Sequence, residues 1–410
     1  MKPPTAAGWA MSNPQVSSPI VALLTPQGRG AVAVVGVCGD GATQACATFF
    51  QAAGSPPLGD TKLGQIRFGR WRRDEATSAD DGEELVACRR GDEHWEIHCH
   101  GGVAASAAVC DSLESVGCRL VSAEQWLSVE ESDLVRLEAL TALAKVRTQR
   151  AAGILLDQVA GALQREIVKL QSSIGREETT NVGERLGLLI ARGYFGLRLT
   201  RPFRVALAGL PNVGKSSLLN ALVGRERAIV YDQPGTTRDV VAVPTVLDGW
   251  AVELVDTAGV RATDDELEAA GVAAATQEHD RADLVVLVRD ATVGGAGDEG
   301  ELISRYPDAL VVWNKADLVG GASDQFELPQ SDGLRISALC ETGIDVLIAA
   351  VVERLLPEIP PTGAAVPFTE RQVGELAAAR QAVEQGDLLT AQESLSRLLG
   401  DPLSRPSDIR

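Results

Sequence analysis

Aromatic side chains are scarce, at 4% of 410 residues, and positive charge is outnumbered: 38 Lys and Arg stand against 56 Asp and Glu, a formal net charge of −18. Non-specific affinity for nucleic acid comes from neutralising phosphates, so this balance excludes a protein that coats DNA or RNA indiscriminately and leaves only a local basic patch as a route to one. No module of basic residues interleaved with aromatics is visible either. The seven cysteines are odd in number and contain no Cys-x-x-Cys pair, which fits a reducing compartment rather than a disulfide framework. No apolar run reaches the roughly 18 residues of a membrane span, and residues 1–16 lack the apolar core of a signal peptide. The expectation is a cytoplasmic protein with no membrane partner. At this length, and with 45% hydrophobic residues, the chain has material for two or three domains with cores of their own.

What is present centres on residues 209–217, Gly-Leu-Pro-Asn-Val-Gly-Lys-Ser-Ser. Gly209, Gly214, Lys215 and Ser216 have the spacing of a Walker A loop. Arg204 to Ala208 read as a short buried strand before it, and Ser216 to Val223 as the helix after it. Glycines let the backbone fold over a phosphate with successive N–H groups pointing inward, and the helix N-terminus adds positive potential. Lys215 would reach the β and γ phosphates and Ser216 would ligate Mg²⁺. Asn212, Val213 and Ser217 complete the loop.

Four later stretches make sense with this loop. They are Gly235-Thr236-Thr237-Arg238-Asp239; the strand Ala251 to Val255 ending in Asp256-Thr257-Ala258-Gly259; the strand Ala309 to Trp313 running into Asn314-Lys315-Ala316-Asp317; and Ile336 leading into Ser337-Ala338. Together they resemble the five G motifs of the translation-factor class of GTPases. The resemblance implies that Asp317 reads the guanine edge, that Asn314 and Lys315 frame the base, and that the backbone at Ala338 meets the guanine carbonyl, with Ser337 beside it. Thr237 and Asp256 are candidates for the Mg²⁺ shell and the γ-phosphate sensors, with Thr236 and Gly259 as further GTP-binding candidates.

Outside this part, residues 1–17 read as a flexible tail. Pro19 to Pro26, Gln27-Gly28-Arg29-Gly30 and Ala31 to Val37 read as strand, tight turn and strand. Residues 53–94 include a loop dense in Gly, Asp and Arg; Arg67, Arg70, Arg72 and Arg73 surround Trp71, and with Asp74, Glu75, Asp80 and Asp81 following they read as a solvated face. Trp95-Glu96-Ile97-His98-Cys99-His100 alternates, with Trp95, Ile97 and Cys99 on one face of a strand and Glu96, His98 and His100 on the other. Two histidines and a cysteine invite a zinc reading. No second ligand pair lies at a workable distance, the other histidines being His94 and His279, so Gly101-Gly102 reads as a turn into a helix at 103–116. Residues 122–199 and 370–399 read as long helices, with Leu134, Leu137, Leu140 and Leu143 at helical spacing as core. Pro357, Pro360 and Pro361 mark the exit from the part between them.

Ile20 to Gly36, Gly91 to Gly102 and the G motifs together resemble the tRNA-modification GTPase family MnmE, also called TrmE. The resemblance implies an α/β plus all-α protein: a P-loop GTPase domain at 201–361 inserted into a helical domain at 121–200 and 362–410, preceded by a small N-terminal α/β dimerisation domain at 18–120. It implies a homodimer through that N-terminal domain, which binds a tetrahydrofolate one-carbon derivative, for which Arg29 and Glu96 are the candidates here. It further implies K⁺-stimulated GTP hydrolysis without an arginine finger. Asn212 then coordinates K⁺, Gly235 to Asp239 form the potassium loop, and Glu268 orients the attacking water. The implied partners are tRNA and an MnmG-like FAD protein, the product being an aminomethyl-type wobble uridine.

The sequence also departs from the family pattern. No cysteine follows Cys340, where the family carries Cys-Ile-Gly-Lys. Residues 88–93 lack a Pro and a Tyr before Gly-Glu-Asp, and Ser122-Ala123-Glu124-Gln125-Trp126 replaces a Gly-Glu-Phe-Thr stretch. The alternative expectation is a divergent regulatory or assembly GTPase that keeps the GTP switch and has lost the modification chemistry.

Overall fold

The computed structural model describes residues 18–26, 30–54, 56–72, 82–174, 179–224, 242–256, 281–293, 299–319 and 333–400. By contact the chain divides into two compact units, residues 1–132 and 133–410.

The first unit is a seven-stranded sheet. Its elements are β1 (Ile20–Leu23), β2 (Val32–Cys38), α1 (Ala42–Phe49), β3 (Phe50–Ala52), β4 (Ile66–Trp71), β5 (Glu83–Gly91), β6 (His94–His100), α2 (Val103–Ser115), β7 (Arg119–Leu120) and α3 (Ala123–Glu130), with strand order β3-β4-β5-β6-β2-β1-β7. All pairs are antiparallel except β1 with β7. The alternation of β6 is realised: Trp95, Ile97 and Cys99 are buried with Val109 and Leu113 of α2, while Glu96 and His98 lie on the opposite face. That opposite face is covered by α3, whose Trp126 joins Ile20, Ala22, Cys38 and Val121. The approach is so close that a side chain at Gly36 would meet the Trp126 ring at 2.6 Å.

One expectation is corrected in this unit. Within 53–94, residues 66–71 and 83–91 are paired strands. Arg67 is buried, with Nη2 donating to the Gly54 and Pro56 carbonyls at 2.7 Å, so the arginines around Trp71 are not a uniformly solvated face. A buried charge needs hydrogen bonds or an opposite charge to compensate it, and here the two carbonyls on Nη2 do so while Nη1 is buried without a partner. The helix α3 packs on this sheet, and the division of the chain by contact falls after Ser132.

The second unit contains a parallel sheet and a group of helices sharing one hydrophobic core. The chain enters through α4 (Leu134–Leu143), α5 (Gln149–Val159), α6 (Ala162–Ser173) and α7 (Thr179–Gly196). Asp133 and Thr148 accept from first-turn backbone amides, capping α4 and α5. The expected leucine stripe is displaced: Val135, Ala139 and Ala142 are the fully buried positions of α4, and the leucines at 134, 137, 140 and 143 are half-buried. Small residues at the contact let α5 approach, so the helix turns its alanines inward.

There follow β8 (Phe203–Ala208), α8 (Lys215–Val223), β9 (Ala242–Leu247), β10 (Trp250–Asp256), β11 (Leu284–Asp290), α9 (Glu299–Arg305), β12 (Leu310–Asn314), β13 (Leu334–Arg335) and α10 (Ile344–Leu355), with strand order β13-β12-β11-β8-β10-β9. All neighbours are parallel except β9 with β10. β8, β11 and β12 are near-continuous apolar runs, as strands covered on both faces require. The chain then returns to the helices with α11 (Glu370–Glu384) and α12 (Leu388–Leu399). The return is fixed by Gln158, whose amide donates to Ala364 O at 3.0 Å and accepts from Val366 N at 3.2 Å. Glu138 receives both forks of Arg371 and Gln372 Nε2, each at 2.7 Å. A GTPase-type sheet is thus inserted between helices from both sides of the sequence.

Candidate functional site

The parallel register puts the C-terminal ends of β8, β10, β11 and β12 along one edge of the sheet. Ligands of open α/β sheets bind at that edge. The edge carries the loop 209–214 from β8, Asp256 from β10, Asp290 from β11 and Asn314 from β12.

The loop is built by backbone conformations that its residue types permit. Gly209 has φ 146°, Asn212 65° and Gly214 94°. A Cβ at Gly209 would meet Val288 O at 2.2 Å, and one at Gly214 would meet Asn314 Nδ2 at 2.3 Å. Both positions therefore need glycine for space as well as dihedral. Gly214 is the N-cap of α8 and offers no side-chain acceptor, so the first-turn amides of the helix are left for another oxygen.

Lys215 is buried and donates to the Gly209 and Leu210 carbonyls at 2.8 and 2.9 Å. Burial lowers the pKa of its ammonium, against the attraction of Asp256. Ser216 Oγ donates to Asp256 Oδ2 at 2.9 Å. A hydroxyl and a carboxylate in contact at the end of the phosphate loop form the kind of hard oxygen pair that suits Mg²⁺.

The side of the site that the sequence assigns to the base is tied to this loop. Asn314 is buried; its Nδ2 donates to Val213 O at 3.0 Å and its Oδ1 accepts from Ala338 N at 2.9 Å. Lys315, at φ 63°, donates to Asn212 O and to Asp290 Oδ2, each at 2.7 Å. Asp317 is the middle residue of the short turn Ala316–Leu318 that follows and is exposed. Ser337 is buried, and its Oγ accepts from Cys340 N at 3.0 Å, closing the turn that carries Ala338.

Asp290 was not singled out from the sequence. Burial raises its pKa, but hydrogen bonds from Lys315 and Thr292 and the Lys315 charge outweigh that and hold the carboxyl below its ordinary value. The signal that would have found it is positional: an acidic residue two positions after the apolar run Leu284–Val288, in a strand destined to lie next to β8.

The structure brings together Gly209, Asn212, Val213, Gly214, Lys215, Ser216, Asp256, Asn314, Lys315, Ser337 and Ala338. Ser217 is exposed on the first turn of α8. Thr236, Thr237, Gly259 and Glu268 lie outside the described residues, as do Arg29 and His279.

In the first unit a cavity of about 380 Å³ lies beside the end of β1 and the start of β2, lined by Thr25, Ala33, Gly101, Ser106, Cys110 and Asp111 among others. Its size suits a small organic ligand. Glu96 is not among its lining residues. It pairs with Arg90 at 2.9 Å and lies opposite Gly36, whereas Val32 lies opposite His100, about 13 Å along the strand. The register thus places Glu96 away from the strand end that leads to Arg29. Cys99 is buried on the face opposite His98, which breaks up the would-be zinc ligands, and among the described residues no group of three or more His, Cys, Asp or Glu could hold a metal ion. All seven cysteines are free, six of them buried; burial pushes the Cys99, Cys110 and Cys118 thiols up to about 11. No helix among the described residues is long and apolar enough to cross a membrane.

Residues 19–125 match the family described as GTP-binding protein TrmE N-terminus, and residues 204–315 match the family described as 50S ribosome-binding GTPase. A Parasynechococcus marenigrum protein named tRNA modification GTPase MnmE is 33% identical, covering 91% of this chain and 89% of its own. A Synechococcus protein of the same name is 32% identical with the same coverage, and one from Moorella thermoacetica is 31% identical over 82% of each chain.

Proposed function

The chain belongs to the MnmE family of tRNA-modification GTPases and is a GTP hydrolase; from that premise we propose a K⁺-stimulated enzyme that acts with an MnmG-like flavoprotein on the wobble uridine of tRNA. The observation that carries the GTPase part is the convergence of Lys215, the Ser216–Asp256 pair and the Asn314 bridge at one sheet edge. In this reading Gly214 and the amides of α8 hold the phosphates and Lys215 exchanges its carbonyl partners for phosphate oxygens. Ser216 and Thr237 would hold Mg²⁺, which would supply neutralising positive charge to the phosphates. Asp317 selects guanine, with Asn314, Lys315, Ser337 and Ala338 shaping the base site. Thr236, Asp256 and Gly259 form the γ-phosphate side. Asn212 is the proposed K⁺ ligand, and Glu268 positions the water. A cation there does the work of an arginine finger, so turnover in K⁺ should exceed turnover in Na⁺.

We further propose that the first unit dimerises, and that its 380 Å³ cavity, rather than Glu96, is where a folate one-carbon donor is held. The altered segments at 88–93 and 122–132, which raised the alternative of a regulatory or assembly GTPase, are built into the fold. Arg89 donates to Thr61 O at 2.8 Å, and Ser122 with Gln125 forms a capping box on α3. These contacts give the altered segments a place in the fold, and retention of the modification chemistry is what the following experiment decides. Mass spectrometry of wobble nucleosides from cells with and without the gene tests the reading. Loss of the modified uridine on deletion, restored by the gene, supports it. Unchanged nucleosides alongside K⁺-dependent GTP turnover by the purified protein would replace it with the regulatory alternative.

A further inference from the structure

A second cavity, of about 410 Å³, lies in the helical part, between α6, α7 and residues 361–365, far in sequence from the loop at 209–217. Arg165, Lys169, Arg185 and Arg192 line it with a single carboxylate, Glu166. Four cations against one anion is the reverse of the chain's overall balance of 38 to 56. Glu166 is already engaged: Arg185 donates to its Oε1 through Nε at 3.1 Å and Nη2 at 2.6 Å, and Lys169 stands 3.9 Å from its other oxygen. Arg165 uses one nitrogen on Ala160 O at 2.6 Å. Arg192 reaches Ala365 O with Nη1 at 3.5 Å, but its Nε is buried and has no hydrogen-bond partner. Ala162, the first residue of α6, also lines the cavity, and the N-cap Gly161 supplies no side-chain acceptor for the amides of that turn.

A group of like charges around a concave wall, with a buried guanidinium donor left over, is unfavourable unless an anion completes it. Guanidinium forks match phosphate oxygens in pairs, and the start of a twelve-residue helix adds donors of the same preference. We infer that this cavity is a second anion site, separate from the nucleotide loop, and that it takes a phosphate group. The phosphate belongs either to an RNA backbone or to a small phosphorylated compound.

The test uses the full-length protein with GDP saturating the nucleotide loop, so that loop does not compete. Wild type and the double variant Arg165→Ala/Lys169→Ala are titrated with inorganic pyrophosphate by calorimetry and with a tRNA transcript by fluorescence anisotropy at several salt concentrations. GDP affinity, measured separately, reports on the nucleotide site and should be equal in both proteins. Weaker tRNA binding in the variant, by about tenfold, with a salt slope smaller by roughly one per charge removed, assigns the cavity to an RNA phosphate. Loss of pyrophosphate binding with tRNA binding unchanged assigns it to a small phosphorylated compound. The exchange Arg165→Lys/Lys169→Arg, which preserves charge, should retain at least half of the binding signal. If the alanine variant titrates like wild type with both probes, the inference is overturned.

Discussion

Lys315 Nζ donates to the backbone oxygen of Asn212 at 2.7 Å, so the residue that begins the base side of the site is bonded to the crest of the phosphate loop. The same ammonium is held from the far side by Asp290. Without that carboxylate Lys315 loses a charged partner in a half-buried setting, where such a bond contributes about 1.5–3 kcal/mol. Asp290→Ala should weaken GDP and GTP affinity about tenfold while leaving the maximal turnover at saturating GTP within about twofold. Stopped-flow binding of a fluorescent guanine nucleotide reads this directly, and unchanged affinity would remove Asp290 from the site.

Gly214→Ala tests whether the loop and the base side are one structure. The added methyl meets Asn314 Nδ2 at 2.3 Å and sits at φ 94°, so the loop must move or Asn314 must release Val213. Strain of this kind costs on the order of 1–3 kcal/mol. The expected outcome is nucleotide affinity reduced at least tenfold in a protein whose thermal midpoint falls by only a few degrees. Wild-type affinity in the variant would show that the two sides are not coupled.

Substitution at Asp317 separates base recognition from phosphate binding. Its exposed carboxylate is free to take the two donors of a guanine edge. Asp317→Asn should lose about a hundredfold in GTP affinity and gain xanthosine nucleotide binding. Lys215→Ala should lose productive binding of both, and an Asp317→Asn protein that still prefers GTP would contradict the assignment.

A pH dependence follows from the cluster beneath α3. His94 lies edge-on to Trp126 with ring centroids 5.5 Å apart, and 3.4 Å from Glu130. Burial lowers the His94 pKa, with Glu96 opposing and Arg90 adding to the shift. The unfolded chain therefore takes up a proton below about pH 6.5 that the folded state resists, and stability falls as pH drops through that window. Burial raises Glu130, as does Glu96, with Arg90 opposing, so the folded state binds its proton first and this offsets part of the loss. Between pH 7 and 5.5 the melting temperature of His94→Gln should fall less than that of wild type, and that of Glu130→Gln should fall more. Parallel melting profiles would refute both.

In the helical part, Glu138→Ala leaves Arg371 and the fully buried Gln372 without their shared acceptor. Breaking such a partly buried pair costs about 2–4 kcal/mol. Urea unfolding should show the midpoint shift with the slope unchanged, whereas Glu138→Gln should recover part of it.

How much of this was legible in the sequence differs from place to place for physical reasons. The loop of Gly209, Gly214, Lys215 and Ser216 was readable because a turn over a phosphate needs particular residue types at fixed spacing, and Asn314 stood out through the resemblance of its stretch to a G motif. The faces of β6 were readable because side chains alternate with period two. Asp290 escaped because its role depends on which strand lies beside β8, and strand order is set by non-local pairing. The position of Glu96 was hidden for the same reason: antiparallel register, absent from the sequence, sets it opposite Gly36. On α4 the leucines looked like core because they are large and periodic, but close helix packing selected the alanines. The Arg67 strand looked solvated because charge was counted without the carbonyls that surround it.

One strand of the sheet has its two ends in different worlds. Trp250 begins β10 with its ring edge-on to Phe195 of α7, centroids 5.5 Å apart, and next to it Asp248 is bonded to Arg150 of α5 at 3.1 Å. Asp256 ends the same strand against Ser216. Paired on one side with β8 and on the other with β9, the strand spans roughly 20 Å, so one continuous element joins the Ser216–Asp256 pair at one end to the Trp250–Phe195 contact with the helices at the other.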